Sequence, residues 1–198
     1  KLVGVNYLVA PMVESSYALR KYLQGVNNIF PEDERYDLEI LCNIETITAC
    51  NKINEMLEIP EIGLLNGIVI ERVDLCFSMG MDDEHINKEE INQLVEKTLK
   101  KAKEKHLTCI IGGGVSAASL PFFRSIKDSI DRYETRKVCF SSKDAMNNDA
   151  EKGILKALAF ELFWLKNKIN YYKNISLADK ERINLIETKY WNTIDSLM

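Results

Sequence analysis

Short apolar segments rich in β-branched residues recur along the chain, each followed by a segment with helical periodicity. The apolar segments cover residues 5–11, 38–45, 66–70, 107–111 and 136–141, and the helical ones cover 15–26, 46–57, 88–105 and 116–131. The apolar segments begin roughly 30 residues apart, which is the length of one βαβ unit. Near-continuous apolar strands such as 107–111 are typical of a parallel sheet covered on both faces. The alternation predicts an α/β fold, either an open doubly wound sheet or a (β/α)8 TIM barrel.

About five βα units are too few to close a TIM barrel, which takes about 250 residues. We therefore expect residues 1–143 to form a partial barrel and residues 144–198 to form a helical tail. The tail pattern breaks at Asn174 and resumes at Ser176 with a capping-box arrangement. Its apolar face is wide, so we expect it to pack on a partner subunit in a homo-oligomer, or else to close the bottom of the barrel.

Composition narrows the class of partner. The formal net charge is −4 and the sequence pI is about 5.4, which argues against nucleic acid as a ligand. The sequence has no apolar run of the roughly 18 residues that a membrane span needs. The five cysteines lack metal-type spacing, which indicates reduced thiols and a cytoplasmic protein. The sequence begins at Lys1, without Met and directly before a strand, so we expect further residues upstream.

Two carboxylates follow neighbouring apolar strands. Glu45 ends the segment 38–45, and Asp74 comes shortly after the segment 66–70. In a parallel barrel this is the edge where chemistry is done, and two oxygen ligands on adjacent strands suit a divalent cation. The alternatives are a Glu45 paired with an arginine inside the barrel and an Asp74 that caps a helix or forms a turn.

Three motifs resemble one known family in order and spacing. They are Ala10-Pro11-Met12-Val13-Glu14, Asn43-Ile44-Glu45-Thr46, and Arg72-Val73-Asp74-Leu75 with Ser78-Met79-Gly80. Together they resemble the HpcH/HpaI aldolase and citrate lyase β-subunit family, over roughly residues 4–141. The resemblance implies a (β/α)8 barrel of which this chain carries strands four to eight. The three strands before them would carry the family's catalytic arginine and a histidine assigned to proton transfer, on about 100 further residues.

The resemblance also assigns roles. Glu45 and Asp74 match the family's ligands for Mg2+, with Mn2+ as the alternative. Asn43 would hold a metal-bound water or the substrate, unless it is a core amide bonded to backbone. The backbone N–H groups of Val73 and Asp74 would clamp the substrate carboxylate, and Pro11 and Met12 would line the rim unless they only pack.

Two further features bear on the same edge. Gly113 and Gly114 follow the segment 107–111 and open a helical pattern, an arrangement that binds an anion or simply makes a tight turn. Glu71 stands where relatives usually carry glycine, and its carboxylate would narrow the pocket or repel an anionic substrate.

The sequence therefore predicts a metal-dependent carbon–carbon lyase, aldolase-like, that acts next to a small 2-oxo acid through an enolate. One alternative is a CoA-ester lyase of the citryl- or malyl-CoA type, with an acyl-CoA substrate. The other is a barrel that has lost catalysis and serves as a binding or scaffold subunit.

Overall fold

One curled sheet organises the described part of the chain. The computed structural model describes residues 3–197, with side chains described for residues 3–188. The strands are β1 (Tyr7–Ala10), β2 (Glu39–Ile44), β3 (Gly67–Glu71), β4 (Thr108–Gly112), β5 (Arg132–Glu134) and β6 (Cys139–Ser141). They lie in chain order; β1 to β5 are parallel, and β6 runs antiparallel to β5. Within residues 3–197 the sheet forms a half-barrel and does not close on itself.

Helices alternate with the strands. They are α1 (Ser16–Ile29), α2 (Ile47–Leu57), α3 (Arg72–Ser78), α4 (Glu89–Glu104), α5 (Leu120–Ser125), α6 (Ser142–Ala145) and α7 (Ala150–Leu197). Short 3₁₀ turns cover Glu32–Glu34, Pro60–Leu64, Asp83–His85 and Ala117–Ser119.

Strand alternation divides the apolar residues between the two faces of the sheet. On the convex face Cys42, Ile44, Ile68 and Ile70 are fully buried in the main core beneath the helices. On the concave face a separate small cluster contains Leu41, Val69 and Ile110. The concave face thus has an apolar middle, and polar side chains occupy its two ends.

Side-chain caps fix where the first two helices begin. The Ser15 hydroxyl accepts from the backbone N–H of Ala18, and the Thr46 hydroxyl accepts from that of Ala49, both at 3.1 Å. Each cap satisfies an orphan backbone donor and contributes about 1 kcal/mol. Because Thr46 directly follows Glu45, the cap of α2 also fixes the backbone beside the predicted metal ligand.

The last parallel strand lies earlier than the sequence predicts. The strand expected at 136–141 is confined to β6 and runs antiparallel. The last parallel strand is β5, which pairs with β4 through Arg132 and Tyr133, and residues 135–138 form the turn into β6. Only Tyr133 of β5 is fully buried, and it stacks on Phe140 with ring centroids 4.9 Å apart. A three-residue strand with charged residues on both sides of one tyrosine has no apolar run to reveal it.

Two helical predictions also need correction. The helix expected over 116–131 is a 3₁₀ turn followed by α5, which ends at Ser125, where the serine hydroxyl bonds the carbonyl of Phe122. The break expected at Asn174 is absent, and α7 continues through it. Asparagine and serine lower helix propensity by only a few tenths of a kcal/mol relative to most residues. Glycine costs about 1 kcal/mol and proline about 3 kcal/mol, and residues 154–188 contain neither.

The chain divides into two compact units, one ending at Ala157 and the other beginning at Leu158, within α7. The first unit contains the half-barrel, and the second is the rest of the helix. None of the helices in the described residues combines the length and the apolar character needed to cross a bilayer.

Candidate active site at the carboxyl ends of the strands

Glu45 is held rigidly at the carboxyl end of β2. Its side chain is only 5% exposed. One carboxylate oxygen accepts from the backbone N–H of Met12 at 2.5 Å, and the other accepts from the Asn43 amide at 3.0 Å. Each oxygen accepts from one donor and keeps a second lone pair for a ligand. The described partners of Glu45 are therefore an amide and a backbone N–H rather than the arginine of the alternative interpretation.

Met12 adopts a backbone conformation that favours this contact. Its φ of 55° lies in the left-handed region, which costs a residue with a Cβ about 1–2 kcal/mol. The hydrogen bond to a buried carboxylate offsets that cost. The side chains of Pro11 and Met12 are exposed at this edge, so Met12 contributes through its backbone.

Further hydrogen bonds connect the loops on either side of Glu45. The Thr46 hydroxyl donates to the Glu14 carboxylate at 2.7 Å, which joins the loop after β1 to the start of α2. The Ile47 N–H donates to the Ser78 hydroxyl at 2.8 Å, and that hydroxyl donates to the Leu75 carbonyl. These contacts bind the start of α2 to α3, the helix that carries Asp74.

Asp74 is the third residue of α3, and Val73 is the second. The Asp74 side chain is exposed. Backbone N–H groups in the first turn of a helix have no intrahelical acceptor, and an acidic residue there interacts favourably with the helix dipole. A role in stabilising α3 and a role in holding a cation are both compatible with this position.

Glu71 brings a third carboxylate to the same edge. It ends β3, precedes α3, and lies so close over Gly112 that a Cβ there would be 2.5 Å from its Oε1 atom. Burial raises the pKa of Glu71 to about 7, and the negative charges of Glu134, Asp74 and Glu45 add to the rise, while Arg72 lowers it. Four carboxylates therefore share the carboxyl edge of the sheet.

Glu134 lies before the segment 136–141 that the sequence predicts as the last strand, so the sequence does not indicate that it belongs to the site. Because the parallel strand ends at Glu134, this residue lies at the carboxyl edge beside Glu71. Its own pKa is raised by burial, partly offset by a hydrogen bond from Cys139 and by Arg132. The shortness of β5 explains this omission, since no pattern in the sequence marks its end.

An ion pair lies at the opposite edge of the sheet. The Arg132 guanidinium donates two hydrogen bonds of 2.8 Å to the two carboxylate oxygens of Glu39, and it lies over the Tyr7 ring, 5.5 Å from the centroid. Hydrogen bonding to Glu39 raises the pKa of Arg132. This arrangement joins β1, β2 and β5 at the amino ends of the strands, opposite the carboxylates.

Arg72 organises the loops beneath the carboxylates. It is fully buried and lies 5.1 Å from the centroid of the Phe123 ring. Burial lowers its pKa to about 10. Its guanidinium donates to the carbonyls of Gly112, Gly113 and Ile86 and to the side chains of Asn87 and Ser119, at 3.0–3.3 Å. The sequence placed Arg72 in a motif but gave no signal for this role, which depends on residues up to 47 positions away.

The glycine run is explained by close packing. Gly113 and Gly114 have φ values of 72° and 64°, in the region that favours glycine. A Cβ on Gly113 would be 2.5 Å from the Arg72 backbone nitrogen, and one on Gly114 would be 2.5 Å from Ile86. These contacts account for a tight connection; anion binding by this loop stays a prediction.

The described residues contain no group of three or more His, Cys, Asp or Glu side chains placed to hold a metal ion. Glu45 and Asp74 would thus supply two oxygens, and the remaining ligands would come from substrate or water. The charge pattern fits a cation, because four carboxylates occur at the carboxyl edge of the sheet and the guanidinium of Arg72 faces carbonyl and hydroxyl groups instead.

No family model matches the sequence, and no curated protein matches it significantly. Solved structures do share its fold. Citrate synthase SbnG superposes with a TM-score of 0.55 at 12% identity, over 83% of this chain and 64% of its own. An HpcH/HpaI aldolase from Desulfitobacterium hafniense DCB-2 superposes with a TM-score of 0.53 at 13% identity, over 67% of this chain and 58% of its own.

An HpcH/HpaI aldolase/citrate lyase family protein from Burkholderia cenocepacia J2315 gives a TM-score of 0.52 at 13% identity, over 82% of this chain and 66% of its own. The chain spans less than two thirds of the length of each of these three proteins. At such identities the likeness is one of fold. The resemblance to the HpcH/HpaI aldolase and citrate lyase family is thereby confirmed for the fold, and the half-barrel of this chain is similar to part of those TIM-barrel structures.

Proposed function

We propose that this chain carries the cation-binding edge of a carbon–carbon lyase that acts next to a small 2-oxo acid. The observation that carries the proposal is the immobilised carboxylate of Glu45, fixed by Met12 and Asn43 on the edge that also holds Asp74. A bound Mg2+ or Mn2+ would act as a Lewis acid that polarises the 2-oxo acid and stabilises negative charge as the bond breaks.

The chain's own residues have distinct tasks in this proposal. Met12 and Asn43 orient Glu45 and leave each of its carboxylate oxygens a lone pair for a ligand. The N–H groups of Val73 and Asp74 receive the substrate carboxylate at the start of α3. In the chain without a cation, burial and the neighbouring carboxylates raise the pKa of Glu71 to about 7, and Glu71 is our candidate for proton exchange with the substrate.

The first test is ligand-linked stability. Mg2+ or Mn2+ together with pyruvate or oxalate should raise the melting temperature, since a ligand at 100 times its Kd stabilises the folded state by about 2.7 kcal/mol. Glu45→Gln and Asp74→Asn should each abolish the shift. The matched control is Glu90→Gln, an exposed carboxylate on α4, which should retain it. A wild-type protein that shows no shift with either cation contradicts the proposal.

Enolate chemistry has its own readout. Exchange of the C3 protons of pyruvate for deuterium, followed by NMR in D2O with Mg2+, reports enolate formation without knowledge of the acceptor. We expect exchange above the protein-free rate in the wild type, and exchange at that rate in Glu45→Gln.

One observation favours a second candidate, a binding subunit without catalysis. Glu71 adds a carboxylate where an anionic substrate would lie, next to three others. This candidate predicts a cation-dependent shift in melting temperature with no proton exchange. The two measurements together therefore separate the lyase from the binding subunit.

A further inference from the structure

The exposed part of α7 has the sequence pattern of a coiled coil. Apolar residues alternate at spacings of three and four, with Ser176 and Asp179 as the polar positions. We call this set the α7 seam: Leu155, Leu158, Leu162, Leu165, Ile169, Tyr172, Ser176, Asp179, Ile183 and Ile186. Each apolar member is 42–66% exposed. A repeat averaging 3.5 residues keeps a stripe on one side of a supercoiled helix, where the facing helix of a coiled coil packs.

The seam is long enough for stable pairing. At 1.5 Å per residue, Leu155 to Ile186 spans about 47 Å, which is more than four heptads. Residues 154–188 contain neither glycine nor proline, and α7 is continuous through them. An exposed stripe of this length that is apolar except at Ser176 and Asp179 is typical of an interaction surface.

In a two-stranded coiled coil, facing seam residues of the two helices form a layer. The order of polar and apolar layers distinguishes parallel from antiparallel pairing. In a parallel, in-register pair of identical helices, every apolar layer meets an apolar layer, and Ser176 and Asp179 meet their own copies. In an antiparallel pair overlapping along the whole seam, Leu162 would lie opposite Asp179 and Leu165 opposite Ser176. The antiparallel pair would bury a carboxylate against leucine in two separate layers and a serine in two more. The parallel pair confines the polar residues to two layers, at the cost of repulsion between the two Asp179 carboxylates, and leaves every leucine layer apolar, so the seam favours its own copy in parallel.

Charges beside the seam agree with that choice. In a parallel coiled coil, a residue at heptad position g contacts position e of the next heptad on the partner. Glu161 would then face Lys166, and Arg182 would face Glu187, which gives attraction near both ends. One pairing, Lys168 with Lys173, joins like charges; Lys168 also lies over the rings of Trp164 and Tyr172 of its own helix, at 5.2 and 5.9 Å.

We propose that residues 155–186 of α7 form a parallel, in-register, two-stranded coiled coil with the same helix of a second copy of this chain. The interface is independent of the proposed lyase function, because the seam shares no residue with the carboxyl edge of the sheet.

Sedimentation velocity of the full chain tests the association. We expect the mass of two chains at micromolar concentration. Leu162→Lys should weaken dimerisation by roughly 100-fold, because an ammonium group replaces a buried leucine. The matched control, Asn167→Lys, introduces the same charge on the opposite side of the helix and should leave the dimer intact. Circular dichroism of each variant should show that it remains folded.

Site-specific cross-linking tests the orientation. In a Cys139→Ser background the other four cysteines are buried, so an introduced thiol is the accessible one. Leu162→Cys should give a disulfide-linked dimer on treatment with diamide, which accepts the two electrons and two protons of the paired thiols. Asn167→Cys should not cross-link. A monomeric wild type, a dimer that survives Leu162→Lys, or a dimer without the Leu162→Cys cross-link would each overturn the proposal.

Discussion

Among single residues, Glu71 gives the clearest prediction of pH dependence. Its pKa of about 7 in the folded chain exceeds the ordinary value of 4.5. The folded state therefore binds this proton more tightly than the unfolded state, and the associated stability is full below about pH 4.5 and lost as the pH rises through 7. Glu71→Gln should remove that dependence and raise stability by about 1–2 kcal/mol at pH 8, after discounting for partial exposure.

Urea denaturation at pH 4.5 and pH 8 measures this difference. Glu90→Gln, at an exposed position on α4, should behave as the wild type at both pH values. A Glu71→Gln effect of the same size at both would mean that packing, and not ionisation, accounts for it.

Arg72 is the residue whose loss should unfold the edge of the sheet. Arg72→Met would remove the guanidinium donor from the Gly112, Gly113 and Ile86 carbonyls and one donor from each of the Asn87 and Ser119 side chains, in three segments of the chain. We expect a loss of about 3–5 kcal/mol in chemical denaturation. Arg136→Met, at an exposed position, should change stability by less than about 0.5 kcal/mol. A loss below about 1 kcal/mol for Arg72→Met would show that water satisfies these acceptors.

At the residue level, the sequence identifies candidates where the signal is local. Glu45 and Asp74 follow apolar strands and are recognised by position; Glu45 directly follows β2, Asp74 lies in α3, and their role as cation ligands stays a prediction. Arg72 and Glu134 escape recognition because their roles depend on packing between distant segments. The buried guanidinium meets residues 14 to 47 positions away, and Glu134 reaches the carboxyl edge only through the pairing of a three-residue strand.

At the level of elements, the connection after β4 offers a paired glycine test. Gly113→Ala places a Cβ 2.5 Å from the Arg72 backbone at a φ of 72°, so we expect a loss of at least about 2 kcal/mol. Gly25→Ala in α1 meets nothing within 4 Å and should raise stability by about 0.5–1 kcal/mol. Thermal denaturation of the two variants should shift the melting temperature in opposite directions. A tolerated Gly113→Ala would show that α3 can move away.

Elements with strong periodicity follow from the sequence, while element ends depend on tertiary contacts. The buried stripes of α1 and α4 match their apolar spacing. The expected helix over 116–131 instead divides into a 3₁₀ turn, α5 and a loop. The break expected at Asn174 does not occur, because polar residues weaken a helix far less than glycine or proline do.

On the scale of the whole molecule, the sequence predicts that the strands are parallel but does not predict a closed barrel. Apolar strands alternating with helices indicate a parallel sheet, and five of the six described strands are parallel. The strand predicted at 136–141 includes β6, but its antiparallel direction was not predicted, because it depends on the turn at residues 135–138. The polar ends and apolar middle of the concave face follow from alternation once the strand register is known.

The agreement between strand order and chain order has a consequence for biosynthesis. Each of β2 to β6 pairs with the strand just before it, so its partner has already left the ribosome when it emerges. Strands can thus be added to one edge of the sheet during translation, in the order in which they are synthesised. The exception is the ion pair between Arg132 and Glu39. These residues are 93 positions apart, so the pair can form only after β5 has been synthesised. A ribosome-bound nascent chain arrested before Arg132 should therefore contain β1 to β4 without this ion pair.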